Sequence, residues 1–395
     1  MAKQPHLVQF GAGNIGRSLV GQLFSRAGWK VTFLDVAKNV VEALNARRSY
    51  LVTIKDEALP GMPGTLEVGD VCGIDLADRE AAVRAVAGAD LVGTSVGAGN
   101  LESACGIIAD ALTGREAPLS VMLCENLHDA AKIARSRLES LLPAGYNVDA
   151  RVGLIEAAIG KMVPNTPPEV RLADPLAVWA EAYNTLYLDA DAYIGVPPTV
   201  PGVAWRHRFQ AYVDRKLFVH NLGHAAAAYA GFLRGKKYIW ECMEDGAVRD
   251  ATRGCMYETS RALAIRHADV FTFDENRATT DDLIRRFGNR VLGDPVFRVG
   301  RDLKRKLAPG DRCIGGLRLL ADTGIANDYS VRAVAAAMLF QAVDEEGKPF
   351  PGDSGIVELA KSSGPEAVLT GLCGLDAHRD AEPVAKIAKF YRDFR

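Results

Sequence analysis

A glycine-rich turn only ten residues into this 395-residue chain limits what its first half can become. Gly11-Ala12-Gly13-Asn14-Ile15-Gly16 follows a β-rich run at 6–10 and opens a helical pattern over 14–27. Such a turn needs glycine where the backbone curves tightly and where a diphosphate approaches closely. The helix N-terminus behind it offers free N–H groups and a positive dipole. Alone the pattern is not specific, because ordinary strand-to-helix turns also use glycine. Here Asp35 closes the next β-rich run, 30–35, and lies 24 residues after Gly11, so the context reads as a dinucleotide-binding unit. An acidic side chain at that place accepts hydrogen bonds from a ribose 2′-hydroxyl and repels a 2′-phosphate. NAD is therefore expected rather than NADP, with Lys38 the one nearby residue of opposite tendency.

The first half goes on alternating β-rich and helical segments. Runs at 89–96, 119–126 and 152–159 read as buried strands, and 37–46 as a second helix. Residues 50–75 read as a β-excursion split by Leu59-Pro60-Gly61-Met62-Pro63-Gly64. Alternation of this kind predicts an α/β, Rossmann-type, doubly wound domain. Thr94-Ser95-Val96-Gly97, at a strand end, is the place where such a sheet meets the rest of a dinucleotide, which makes Val96 and Gly97 candidate contacts. Past the Pro197–Gly202 loop the texture becomes amphipathic helices at 205–233, 240–268, 279–291, 330–343, 365–373 and 382–394, with Thr279 and Asp282 spaced as a capping box. The expected organisation is a nucleotide-binding domain over 1–200 and an all-α domain over 201–395.

Composition excludes several classes. With 47 Lys+Arg against 49 Asp+Glu the net charge is −2, so no basic excess is available for nucleic acid or an anionic membrane. The seven cysteines are odd in number and scattered, without metal-ligand spacing. They read as small buried apolar residues in a reducing compartment. The N-terminus lacks a signal-peptide pattern, and the apolar stretch near Ala225–Leu233 is too short for a membrane span. A cytoplasmic, metal-independent protein is expected.

The segment Lys216-Leu-Phe-Val-His-Asn221-Leu-Gly-His224 is the candidate for chemistry. At 100° per residue, Lys216, Asn221 and His224 fall within an arc of roughly 140° on a regular helix. One face can thus present an amine, an amide and an imidazole. The bland alternative is a surface lysine, a satisfied core asparagine and a structural histidine. A nucleotide domain upstream, which needs a partner to hold substrate, favours the functional reading. The dense basic stretch Arg301, Lys304, Arg305, Lys306, Arg312 is either an anion site or a solvated helix face, with Asp302 and Asp311 able to neutralise part of it.

The K-x4-N-x2-H pattern, behind FGAGNIGR (10–17) and Asp35, resembles the polyol-specific long-chain dehydrogenases. The likeness runs nearly end to end, through LNARRSY (44–50), VGAGNL (96–101), CEN (124–126), RKLFVHNLGHA (215–225), the 299–312 segment, AAAM (335–338) and GLDA (374–377). It implies Lys216 as general base, Asn221 and Asn126 as hydrogen-bond donors to the developing alkoxide, and His224 as a substrate-orienting residue. A lysine base near neutral pH needs its pKa lowered by desolvation or neighbouring cations, here expected from Arg215 and an oxidised nicotinamide. The 299–312 segment points to the phosphate-using branch, with Arg305 and Arg312 on the phosphate. The implied reaction interconverts mannitol 1-phosphate and fructose 6-phosphate. The alternatives are the same chemistry on an unphosphorylated polyol or a hexuronate, or a non-catalytic NAD-sensing protein. One departure stands out. Where many relatives carry Asp-Arg-Ile-x-Pro, this chain has Gly160-Lys161-Met162-Val163-Pro164, with Glu156 a candidate substitute for the missing carboxylate.

Overall fold

Residues 3–57, 64–127, 129–376 and 378–395 are described by a computed structural model. The chain divides into two compact units, the first ending at Phe209 and the second beginning at Gln210.

The first unit is built on an eight-stranded sheet. Its strands are β1 (His6–Phe10), β2 (Lys30–Asp35), β5 (Val71–Asp75), β6 (Leu91–Thr94), β7 (Leu119–Leu123), β8 (Val152–Ile159), β10 (Leu186–Asp189) and β11 (Val203–Arg206), in spatial order β11-β10-β8-β7-β6-β1-β2-β5. Every pair from β5 to β8 is parallel, while β10 runs antiparallel to β8. Strands buried on both faces read as near-continuous apolar runs, as β6 and β7 do with only Thr94 and Ser120 polar. The period of two then sorts side chains between two cores. Val8, Phe10, Val121 and Leu123 face the helices Leu101–Thr113 and Ala130–Leu141, whereas Leu7, Phe33 and Met122 join the opposite core with Leu19 and Phe24. That second core also takes a three-stranded sheet, in which β3 (Tyr50–Ile54) lies between β4 (Thr65–Val68) and β9 (Val178–Ala180). The chain enters the main sheet at an interior strand, so β1 lies between strands that continue in opposite directions. Sheets of this topology bind ligands beyond the carboxyl ends of the strands at that switch point.

Three expectations are corrected here. The run 65–75 is two strands: only β4 belongs to the excursion, and β5 returns to pair with β2. The separating run overlaps residues 58–63, which lie outside the described residues. The strand β11 follows the Pro197–Gly202 loop yet pairs with β10, so the first sheet extends past residue 200 and the long helix begins at Gln210, not 205.

The second unit is helical, with only isolated bridges among its described residues. Its central helix, Leu222–Leu233, buries Ala225 to Tyr229 consecutively, as a helix packed on all sides must. Asp245 breaks the expected 240–268 helix in two, because its carboxylate caps Gly246–Arg266 through the amides of Ala247 and Val248. The capping box at the next helix, Phe273–Phe287, is Thr272 with Glu275. Thr279 lies inside that helix with its hydroxyl on the Glu275 carbonyl. All seven cysteines are free, and six are buried. Among the described residues, no helix is long and apolar enough to cross a membrane.

Candidate active site

The glycine turn is fixed by contacts that tolerate no side chain at two positions. Gly11 has φ +86°, and a Cβ there would lie 2.6 Å from the Ser95 carbonyl oxygen. A Cβ on Gly16 would lie 2.0 Å from the carbonyl oxygen of Gly11. Gly13 differs, since a Cβ there meets nothing within 4 Å. Gly11 and Gly16 thus close the turn, while the space beside Gly13 is open for a diphosphate. Asn14 and Ile15 open the helix, and Gly16–Gly21 are wound as a π-helical turn before α geometry resumes at Gln22. Asp35 ends β2 and ties it to the turn: Oδ2 accepts from the Ala12 amide at 2.6 Å and Oδ1 from the Ala37 amide at 2.9 Å. These residues fit a dinucleotide.

At the end of β6 the structure adds a group that sequence reasoning missed. The buried Glu125 carboxylate accepts the amides of Val96 and Gly97 at 2.9 and 2.8 Å. Both amides are therefore taken within the unit, and the Val96 carbonyl accepts from Asn100 Nδ2 at 3.0 Å, which leaves Val96 chiefly its side chain for a ligand. Glu125 lies in the same Cys124-Glu125-Asn126 segment that carried the resemblance, and an acidic residue two positions beyond a fully buried strand was the available signal. Asn126, beside it, is exposed. Lys161 is buried and donates to Asn184 Oδ1 at 2.9 Å, and Glu156 accepts from the Ala131 amide.

In the second unit, Lys216 begins a π-helical turn, Lys216–Asn221, between the α-helical segments Gln210–Arg215 and Leu222–Leu233. Burial, and then the charge of Arg312, pull the Lys216 ammonium down to about 8. The expectation named Arg215 instead. Its guanidinium lies 4.2 Å from the Phe271 ring centroid and 5.1 Å from that of Tyr212, and the cation acting on Lys216 is Arg312. Asn221 closes the π turn and is partly buried. His224 stacks on Phe287, centroids 4.6 Å apart and planes 9° from parallel, with Nε2 at 3.2 Å from Asp294 Oδ2. Burial alone would raise the Asp294 carboxyl, but His224 and Arg298 outweigh it and hold the group below its usual range. The imidazole thus lies parallel to a ring, with one edge at ion-pair distance from a carboxylate. Phe287 and Asp294 were missed, because their role depends on packing between helices distant in sequence. His220, on the same turn, is fully enclosed and pushed well below the ordinary histidine value by burial, then by Arg286.

Two cations of the basic stretch are paired with neighbouring carboxylates. Arg305 Nε lies 2.6 Å from Asp302 Oδ2, and Arg312 Nε lies 2.7 Å from Asp311 Oδ1. Arg305 is half exposed and Arg312 is buried. Lys306, 4 % exposed, donates to the Arg301 carbonyl; burial first, then Arg312 and Arg305, lower it to about 7.

A parallel sheet carrying a dinucleotide turn, followed by a helical unit with a depressed lysine beside an amide and a clamped imidazole, defines the architecture of a two-domain dehydrogenase. Family comparison agrees: the profile described as "Mannitol dehydrogenase Rossmann domain" matches residues 5–200, and "Mannitol dehydrogenase C-terminal domain" matches 208–372. The chain belongs to the mannitol dehydrogenase family. Among solved structures it is similar to Pseudomonas fluorescens mannitol 2-dehydrogenase in ternary complex with NAD and D-mannitol. That match has 19% identity and a TM-score of 0.73, covering 100% of this chain and 92% of the other. It is also similar to a substrate-free D-sorbitol dehydrogenase, with 18% identity and a TM-score of 0.73, covering 98% and 93%.

Proposed function

We propose that this chain is an NAD-dependent dehydrogenase that interconverts mannitol 1-phosphate and fructose 6-phosphate. The observation that carries the reading is the Lys216 amine, lowered to about 8 and set on one helix with Asn221 and His224. Gly11, Gly13 and Gly16 with the following helix N-terminus would hold the diphosphate of NAD, and Asp35 the adenosine ribose. When bound, the nicotinamide supplies the hydride acceptor for alcohol oxidation and the donor for ketone reduction. The neutral amine of Lys216 takes the hydroxyl proton as the carbon loses hydride, and returns it in the reverse direction. Asn221 donates to the oxygen as negative charge grows, an interaction whose loss costs ~10²–10³ in rate in comparable sites. His224, held by Phe287 and Asp294, orients the substrate's neighbouring hydroxyl. Asn126 is assigned as a further donor on the strength of the motif resemblance to bacterial mannitol-1-phosphate 5-dehydrogenases.

The phosphate is assigned to Arg312 and Arg305. A second reading has its own support: both arginines are paired with aspartates, which favours an unphosphorylated polyol or a hexuronate. A non-catalytic NAD sensor would have no use for a depressed lysine. The test is a panel of polyols, polyol phosphates and hexuronates with NAD⁺ and NADP⁺, followed by absorbance of the reduced nicotinamide. Mannitol 1-phosphate with NAD⁺ is expected to give the highest kcat/KM. A higher value for free mannitol or a hexuronate would overturn the phosphate assignment while leaving the chemistry in place.

A further inference from the structure

The turn that carries Lys216 is not an ordinary piece of helix. Over Lys216–Asn221 the ladder runs i→i+5, and the Leu222 amide reaches back to the Leu217 carbonyl. The same amide also reaches the Val219 carbonyl, so its two bonds straddle the carbonyl of Phe218. A buried carbonyl needs a donor from elsewhere. Thr259, fully buried on the helix Gly246–Arg266, supplies it: its Oγ1 donates to the Phe218 carbonyl at 2.7 Å, closer than its approaches to Met256 O and Cys255 O on its own helix, 3.2 and 3.4 Å. The Phe218 ring is held as well, since a Cβ on Gly315 would lie 2.8 Å from it. Phe218 is therefore held by its backbone and by its side chain.

The widened turn changes which residues share a face. A π turn takes roughly 4.4 residues, about 82° each, instead of 3.6. From Lys216 to Asn221 the rotation then comes to about 50° past a full turn, and three α-helical steps bring His224 back to about 10° before Lys216. The arc narrows from roughly 140° on a regular helix to about 60°. The amine, the amide and the imidazole are gathered because the helix is wound loosely between them.

The same device occurs independently in the first unit. Along the π turn Gly16–Gly21 behind the glycine motif, the buried Tyr50 hydroxyl donates to the Arg17 carbonyl at 2.8 Å. In both places a hydroxyl from a different element reaches a carbonyl of the loosened turn.

We propose that Thr259 is a positioning residue, whose hydroxyl stabilises the π turn and so sets the direction in which Lys216 points relative to Asn221 and His224. The proposal rests on the reading of Lys216 as the base. Its test compares Thr259→Val, which keeps the shape and loses the donor, with Thr259→Ser, which keeps the donor. Four quantities are measured: kcat and KM for mannitol 1-phosphate oxidation, NADH affinity by fluorescence, melting temperature, and the titration of Lys216 by NMR after reductive ¹³C-methylation. Thr259→Val is expected to lower kcat about tenfold or more. NADH affinity should stay within about twofold and the Lys216 midpoint should move, while Thr259→Ser stays near wild type. Should Thr259→Val not fold, Thr259→Cys, a weak donor of similar size, takes its place with the same expectations. An unchanged kcat and an unchanged Lys216 titration in a folded variant would overturn the proposal. So would losses of kcat and melting temperature that Ser does not rescue. If the wild type oxidises no polyol but the Lys216 titration still responds to Thr259→Val, the functional reading fails and the positioning role stands.

Discussion

The Arg312 guanidinium Nε lies 2.7 Å from Oδ1 of Asp311, the residue immediately before it, and that carboxylate also accepts the Arg312 amide at 2.6 Å. The cation that lowers Lys216 is thus itself bound to an anion. Two roles are proposed for Arg312, lowering Lys216 and holding a phosphate, and one substitution distinguishes them. Arg312→Gln removes the positive charge, so the pH midpoint of polyol oxidation should rise above the wild-type value of about 8 while staying below the 10.5 of a free lysine. If Arg312 also holds a phosphate, kcat/KM for mannitol 1-phosphate should fall about ten- to a hundredfold, as expected for one charge-assisted hydrogen bond worth ~1.5–3 kcal/mol. Turnover of free mannitol should then respond much less. Parallel losses on both substrates with a lower melting temperature would reduce Arg312 to a structural ion pair.

Lys216→Met should lower kcat by ~10²–10⁴. The melting temperature should not fall, because an apolar side chain replaces a desolvated amine. NADH affinity should change by less than about twofold, as the residue acts on the reacting hydroxyl. In the wild type, polyol oxidation should rise as pH passes through about 8, where the amine loses its proton, and ketone reduction should fall over the same range. A flat oxidation profile would exclude a lysine base.

The glycine turn separates binding from folding. A Cβ on Gly13 meets no atom within 4 Å, so Gly13→Ala should leave the melting temperature within about a degree and weaken NADH binding at least tenfold. A Cβ on Gly16 would overlap the Gly11 carbonyl, so Gly16→Ala should cost on the order of 2–4 kcal/mol of stability, read by denaturant unfolding. Asp35→Ser should narrow the kcat/KM preference for NAD⁺ over NADP⁺, and an unchanged ratio would place discrimination elsewhere.

Lys306 makes a prediction about stability alone. With a folded value of about 7 against 10.5 for a free lysine, the native state binds fewer protons than the unfolded chain between those pH values. The stability of the wild type therefore rises with pH through that window. Lys306→Met removes this dependence, so its stability relative to wild type should be greatest near pH 6 and should shrink toward pH 10. The difference between the two ends should be on the order of 4 kcal/mol, from thermal melts at each pH.

How much of this was legible in the sequence depended on whether a feature was local. The glycine turn, Asp35 and the run 30–35 follow from nearest-neighbour chemistry, and their elements lie where the pattern put them. The short strand β11 did not show, because Val203-Ala204-Trp205-Arg206 merges into the helical pattern that follows and only its pairing with β10 marks it as strand. Spacing marks Lys216, Asn221 and His224 as candidates on one helix, yet the angle between them does not follow from it, since a regular period of 3.6 cannot reveal a loosened turn. Asp294, Phe287 and Thr259 act across helices, so one-dimensional spacing carries no trace of them. Arg312 was recognised as a charge, but its partner Lys216 lies 96 residues earlier in the chain.

The hydroxyl of Tyr50 gives the small sheet a consequence for anyone wishing to shorten this fold. Tyr50 opens β3, outside the eight-stranded sheet, and a parallel domain could in principle run from the helix Lys38–Arg47 straight to β5. Trimming the excursion to that minimal crossover would also strip the Arg17 carbonyl of its donor, on the helix that starts the dinucleotide turn. Shortening is therefore confined to the connection between Ile54 and Thr65, while the base of the hairpin must stay. What looks in the chain like an ornamental insertion is, at its first residue, a brace for the nucleotide-binding helix.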